Sequence, residues 1–419
     1  MKILFLHTFY TPHIGGGAEV VLRHTAEGLR QRGIEVCVLA TGPDKGLHDE
    51  MLNGVHVYRA GLINFYWHYN QTRPNPLLRL GWHMRDRYNR GMRRYVRQVI
   101  EREQPDIVVT GNLPGWSISA WDEISAAGLP IVQVLHDFYL LCPRDTMCKG
   151  NKSCEHQCGV CAAFRRPHAK ASEQVTAVIG VSRYVLRTIV EHNLFRAASL
   201  HVVHNSTPVG ASAPPPDWRG LRDGGALRFG YIGMLSQNKG VSWLIDQFQR
   251  LQIDATLDIA GRGKAHELQE LTERVTSSAV RFVGYRNPDQ FLRSIDVLVV
   301  PSIWGEPFGL VAAEACAHGV PVIASRMGGL PEIIQHEVNG LLCKPDEPDS
   351  LGQAMERLYL DSNLRKRLAS QARSSVAPLL DMDRMLDEYE TIIHQTLQRR
   401  SNGYAPAHLV LAADASPAD

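Results

Sequence analysis

Short apolar runs closed by glycine, proline or polar turns recur along the chain, and the stretches between them carry helical spacing. Residues 2–6, 34–40, 106–110, 131–135, 175–181 and 200–203 read as buried strands in the first half. Residues 227–232, 255–260, 280–283, 296–300 and 321–324 repeat the pattern in the second. Over 18–32, Val20, Val21, Leu22 and Leu29 supply an apolar helical face, and Gly33 ends it. Ser182 is placed to cap a helix over 183–191. A further helix starts near Phe308, is rich in alanine, and stops at Gly319. Strands that alternate with helices build parallel sheets, because a parallel crossover needs a helix-sized connection. The predicted fold class is therefore α/β, in two Rossmann-like halves.

Residues 206–225, STPVGASAPPPDWRGLRDGG, hold breakers without apolar periodicity and read as a hinge. They separate an N-terminal domain over 1–205 from a C-terminal one over 226–380. A charged amphipathic helix follows over 381–399, and 400–419 are expected to be disordered. Asp381 and Asp383 form a D-x-D at the start of that helix, where acidic residues are ordinarily caps. Residues 75–104 read as one helical segment with a basic face, preceded by aromatics such as Phe65, Tyr66 and Trp67. A solvated helix face explains this as well as an anionic membrane surface bound by arginines and aromatics.

The chemistry concentrates at strand ends. Gly15, Gly16 and Gly17 precede the first helix, where bare backbone can approach a diphosphate or sugar. A dinucleotide fingerprint does not fit, since eleven residues separate Leu6 from Ala18 and no acidic residue closes the second strand. His136 ends the strand 131–135, where ligands of open α/β sheets bind; it donates to a hydroxyl or rests against Asp137. Lys239, beside Gly240 at the start of a helix, can neutralise a departing diphosphate, or is a surface lysine in a capping turn. Arg262, in Gly261-Arg262-Gly263, faces the nucleotide or lies in a plain turn. Glu306 and Glu314 frame the helix after 296–300; each reads alone as a cap or face residue, but Glu314 sits among residues expected to be buried.

The run from Glu306-Pro-Phe-Gly through Glu314-Ala, then Gly319-Val-Pro-Val, Gly328-Gly and Asn339-Gly, resembles the E-x7-E signature of family 4 glycosyltransferases. The resemblance implies the GT-B architecture, two Rossmann-like domains facing a central cleft, with the terminal helix crossing back to the first domain. It implies that Glu306 contacts the donor sugar and Glu314 the ribose, with Phe308, Gly309 and Leu310 offering N–H groups to sugar and diphosphate. It places Gly16 and Gly17 across the cleft from the donor, and His136 near the acceptor. The expected activity is retaining transfer of a sugar from a UDP- or GDP-sugar to a hydroxyl of a sugar, glycolipid or polysaccharide. The proton passes to the leaving phosphate and no cofactor is required for catalysis. One departure stands out: the family usually has arginine after Gly233, and this chain has Met234. That keeps two alternatives open, a nucleotide-sugar epimerase or hydrolase on the same fold, and a non-catalytic sugar- or membrane-binding relative.

Composition narrows little further. A formal net charge of +2 over 419 residues gives no general case for a nucleic-acid partner. The apolar run before His7 is too short for a signal peptide, so a cytoplasmic protein is expected, peripheral at the inner face of the membrane if the basic segment docks there. Five of the eight cysteines fall within 142–161, an insert after His136. Cys148, Cys154, Cys158 and Cys161 have spacing for a structural zinc site; an iron–sulfur cluster would use the same ligands, and free thiols without metal are the third reading.

Overall fold

Two separate sheets take up the apolar runs in the computed structural model, which describes residues 1–69, 74–149, 152–208 and 226–401. The first is built from β1 (Lys2–Leu6), β2 (Glu35–Gly42), β3 (Leu47–Leu52), β4 (Val55–Gly61), β5 (Ile107–Thr110) and β6 (Ile131–Leu135). A small hairpin, β7 (Cys148–Lys149) with β8 (Lys152–Ser153), leads on to β9 (Ala177–Gly180) and β10 (Ser199–Val202). The order across the sheet is β10-β9-β6-β5-β1-β2-β4-β3. Only β3 runs antiparallel, against β4. Ile3, Leu4 and Leu6 of β1 and all of β5 lie out of water, as a strand covered by helices on both faces requires.

The β3–β4 hairpin has no counterpart in the sequence reading, for a physical reason. β3 carries His48, Asp49 and Glu50 on an exposed edge, so it has no apolar alternation to detect. Pairing with β4 and the ion pair from Arg59 to Glu50, 2.7 Å, hold it in place. The single helix expected over 75–104 is also corrected. Pro76–Asp86 and Arg93–Glu103 are separate helices, with one 3-10 turn, Arg90–Met92, between them. Two side chains turn inward at the break: Asp86 accepts from Gly115 N at 2.6 Å, and Asn89 Nδ2 donates to the Ile63 and Gly115 carbonyls at 3.1 Å each.

The second sheet comprises β11 (Leu227–Met234), β12 (Ala255–Arg262), β13 (Val280–Gly284), β14 (Val297–Val300), β15 (Val322–Ser325) and β16 (Gly340–Cys343). All are parallel, in the order β13-β12-β11-β14-β15-β16. This is the doubly wound order, in which the connections reverse direction between the first and fourth strands, and ligands bind outside the strand ends at that point. Here that point lies between β11 and β14.

The last helix, Met382–Ser401, packs on the first domain. Arg32, at the end of the helix Gly17–Gln31, reaches Asp383 at 2.7 Å, Asp387 at 2.6 Å and Glu390 at 2.8 Å. Asp381 accepts from Arg384 N at 3.1 Å, so the D-x-D is occupied as a cap and an ion pair. The hinge falls largely outside the described residues, which resume at 226, and the tail expected to be disordered lies outside them beyond 401.

Candidate active site

The loops after β11 and β14 deliver opposite charges to one point. Lys239 Nζ stands 2.7 Å from Glu306 Oε1, and Ser302 Oγ donates to the same oxygen at 2.5 Å. Gly240 makes the meeting possible: its φ is +72°, and a Cβ there would stand 1.9 Å from the Pro301 carbonyl oxygen. Only glycine lets the β11 loop come that close to the β14 loop. Glu306 is buried, and a buried carboxylate paired with one lysine keeps oxygen capacity for further donors.

The helix after Glu306 runs Leu310–Ala317, two residues later than the sequence suggests. Gly309 caps it at φ +106°, and Phe308 is drawn into the core, its ring 5.7 Å from His204 of the first domain. Glu314 projects from the second turn. It is half-buried, accepts from Thr207 Oγ1 at 3.3 Å, and loss of water pushes its carboxyl up to about 7. Thr207 belongs to the stretch that leaves the first domain, so this contact joins the donor-side helix to the interdomain connection.

Opposite lies the glycine loop. A Cβ on Gly17 would stand 3.7 Å from Leu310 Cδ2, which places the loop directly across the cleft from the helix N-terminus. Gly16 N donates to Glu19 at 2.7 Å. His136 ends β6, with its ring 6.1 Å from His7 at the end of β1. Burial lowers its pKa to about 4, so near neutrality it is an uncharged imidazole that can donate one hydrogen bond but brings no positive charge.

Three residues escaped the sequence reading. Trp304 is buried beside the pair, its ring 5.2 Å from Lys239 Nζ and 6.2 Å from the ring of Phe138 across the cleft. Glu332 reaches over to cap the first domain's helix Arg183–Val190, accepting from Arg183 N and Tyr184 N at 2.9 Å each. It also pairs with His204 Nε2 at 2.9 Å. Thr207, the partner of Glu314, is the third. A tryptophan inside a breaker-rich loop is the one sequence signal among them; the other contacts depend on how the domains meet.

Arg262 ends β12 with its guanidinium 4.4 Å from the ring centre of exposed Tyr285. The structure gives the expected zinc site no support. Among the described residues no three His, Cys, Asp or Glu side chains are grouped to hold a metal ion. Cys148 Sγ donates to the Lys152 carbonyl at 3.2 Å, and Cys158 stands exposed at a helix start.

Two doubly wound sheets, parallel except for the edge strand β3, face each other across a cleft lined by a lysine–glutamate pair and a glycine loop, which is the architecture of GT-B glycosyltransferases. Residues 16–206 match the family model described as a glycosyl transferase 4-like domain, and residues 226–361 match glycosyl transferases group 1. The chain belongs to the group 1 glycosyltransferases of this GT4-like type. An uncharacterized glycosyltransferase of Methanocaldococcus jannaschii is 27% identical over 411 residues, covering 93% of this chain and 96% of that one. A protein of Klebsiella pneumoniae described as an uncharacterized 42.6 kDa protein in the cps region is 29% identical over 335 residues, 80% of this chain and 87% of that one. Among solved structures, sucrose-phosphate synthase of Thermosynechococcus elongatus superposes with a TM-score of 0.75 at 18% identity, covering 95% of this chain and all (100%) of that one. HepE of Anabaena, in complex with UDP and glucose, gives 0.70 at 21% identity, covering 94% and 100%.

Proposed function

We propose that this chain is a retaining hexosyltransferase that moves a sugar from a nucleoside diphosphate sugar to a hydroxyl acceptor. The observation that carries the reading is the Lys239–Glu306 pair, 2.7 Å, held at the reversal point of the second sheet, just ahead of the helix whose first residue, Leu310, faces the glycine loop. In this reading Lys239 and the N-terminus of the helix Leu310–Ala317 neutralise the departing diphosphate. Glu306 accepts from donor sugar hydroxyls, Glu314 exchanges Thr207 for the ribose, and Arg262 flanks the nucleotide. The C1–O bond to the diphosphate breaks while the acceptor oxygen bonds C1 on the same face, and the acceptor proton passes to the leaving phosphate oxygen. Neutral His136 then orients the acceptor through a hydrogen bond rather than removing its proton. No metal takes part in these steps. HepE is described with UDP and glucose, which supports a uridine nucleotide as the first donor to try.

We further propose that the acceptor is presented at an anionic membrane surface. Leu77, Leu80 and Met84 of the helix Pro76–Asp86 are exposed, as is Phe65 beside it, and Leu77 is 81% accessible. Between residues 54 and 100 the one carboxylate is Asp86, which is buried, whereas Arg85, Arg90, Arg94 and Arg97 are exposed. Apolar side chains rimmed by arginine suit headgroup contact. Among the described residues no helix is long and apolar enough to cross a membrane. The test of the enzymatic reading is calorimetric titration with UDP, GDP and ADP, with Glu314→Ala as control. Binding of one nucleotide that the control loses supports it; absence of binding by all three would sink it.

A further inference from the structure

The cysteine insert, left without a role above, has a defined arrangement. Cys158 caps the helix Gly159–Ala171 and is exposed, and Cys161 follows one turn in. The Cys161 thiol is close enough to the Cys158 sulfur to favour its thiolate, and it donates to the sulfur of buried Cys142 at 3.9 Å. A C-x-x-C at a helix start pairs a solvent-facing sulfur with a second sulfur shielded behind it. That is the geometry of a dithiol that opens and closes.

We propose that Cys158 and Cys161 form a reversible redox site, oxidised by low-molecular-weight disulfides. Cys158 as thiolate attacks one sulfur of the disulfide, and its partner sulfur leaves as a thiol after taking up the proton that Cys158 gave up. Cys161 then attacks the mixed disulfide at Cys158, and the second small thiol leaves with the Cys161 proton. One external disulfide is reduced to two thiols while two protein thiols become one disulfide, so electrons and protons balance.

The site is tied to the cleft. Gln157, next to Cys158, donates to the Leu141 carbonyl at 2.7 Å, and His168 Nδ1 lies 3.2 Å from the Leu140 carbonyl. Arg165, on the same helix, stands 4.0 Å over the Tyr139 ring. These contacts brace residues 139–141, which begin three residues after His136. Closing the bridge at the helix start thus acts on the segment that supports the acceptor side.

The experiment needs neither donor nor acceptor, so it is independent of the transferase reading. The full chain, freed of reductant, is incubated with oxidised glutathione, alkylated, and followed by intact mass and peptide mapping. The expected result is one internal bridge joining Cys158 to Cys161, reversed by dithiothreitol. Cys161→Ser should retain one glutathione on Cys158, since nothing resolves the mixed disulfide, and Cys158→Ser should form no bridge at Cys161. Full alkylation of all five insert cysteines after oxidation would overturn the proposal. So would a bridge of Cys161 to Cys142 in the unsubstituted chain, or one tightly bound metal ion per chain that must be removed before any of these thiols reacts.

Discussion

Met234 and Arg262 are register partners at the C-terminal ends of the adjacent parallel strands β11 and β12. Leu235 N bonds to the Arg262 carbonyl at 2.8 Å, which locks the two strand ends together. Partners in register on a parallel pair stand about 4.8 Å apart and point to the same face. The cation that the family resemblance leads one to expect after Gly233 is therefore missing from one strand and present on its neighbour. Arg262→Ala should weaken nucleoside diphosphate binding by about tenfold to a hundredfold, the worth of a hydrogen bond to a charged group. Met234→Arg in that background should recover most of the loss. Calorimetry on the two variants decides it: if Arg262→Ala binds as tightly as the parent, Arg262 has no share in the site.

The Lys239–Glu306 pair separates folding from chemistry. Lys239→Ala leaves a buried carboxylate without its cation and should lower stability by about 2 kcal/mol, while transfer falls at least about a hundredfold. Adding Glu306→Gln removes the stranded charge, so thermal stability should return while transfer stays lost. Calorimetric melting alongside product formation reads both; recovery of transfer in the double variant would show that the pair is structural only.

The fold was legible because its strands are buried on both faces and so appear as uninterrupted apolar runs, as in β1 and β14. What failed to appear had no apolar signature. β3 is a charged edge strand, and the break between the helices Pro76–Asp86 and Arg93–Glu103 depends on Asp86 and Asn89 finding backbone partners at Gly115, distant in sequence. The candidate site divides along the same line. Lys239 and Glu314 are marked out by their settings, one beside Gly240 at a helix start and the other in an apolar helix, whereas Glu306 is marked out by the E-x7-E resemblance. Glu332 and Thr207 could not be singled out, since their partners Tyr184 and Glu314 lie in the opposite domain or far along the chain. The cysteine spacing was visible too, but spacing alone does not say where each sulfur points.

Glu314 gives a pH signature. Its folded carboxyl is raised to about 7 by loss of water, against an ordinary value near 4.5. The folded state therefore binds the proton more tightly than the unfolded chain, so this group's stabilising effect is complete below pH 4.5 and is lost as pH rises through 7. A ribose hydroxyl donates to the ionised form, so nucleotide affinity should rise over the same interval. Glu314→Gln should flatten both profiles. Urea unfolding and nucleotide titration at several pH values test this, and an unchanged stability profile in the variant would remove Glu314 as the source.

The exposed face of the helix Pro76–Asp86 makes a prediction that its basic charge alone does not. Arginines by themselves would hold the chain to anionic vesicles at low salt and release it as salt rises, because charges more than about 8–10 Å apart are screened at physiological ionic strength. Exposed Leu77, Leu80 and Met84 add an apolar contribution that salt does not weaken. Replacing all three with serine removes no buried contact, so the chain should stay folded. Binding to vesicles containing phosphatidylglycerol should then fall about tenfold or more at physiological salt, with a smaller loss at low salt. Arg85→Ala with Arg90→Ala should show the reverse dependence, costing most at low salt. Co-sedimentation at two salt concentrations separates the two contributions. If the serine variant binds like the parent at both, the apolar face has no part in membrane contact and the basic segment is a solvated surface.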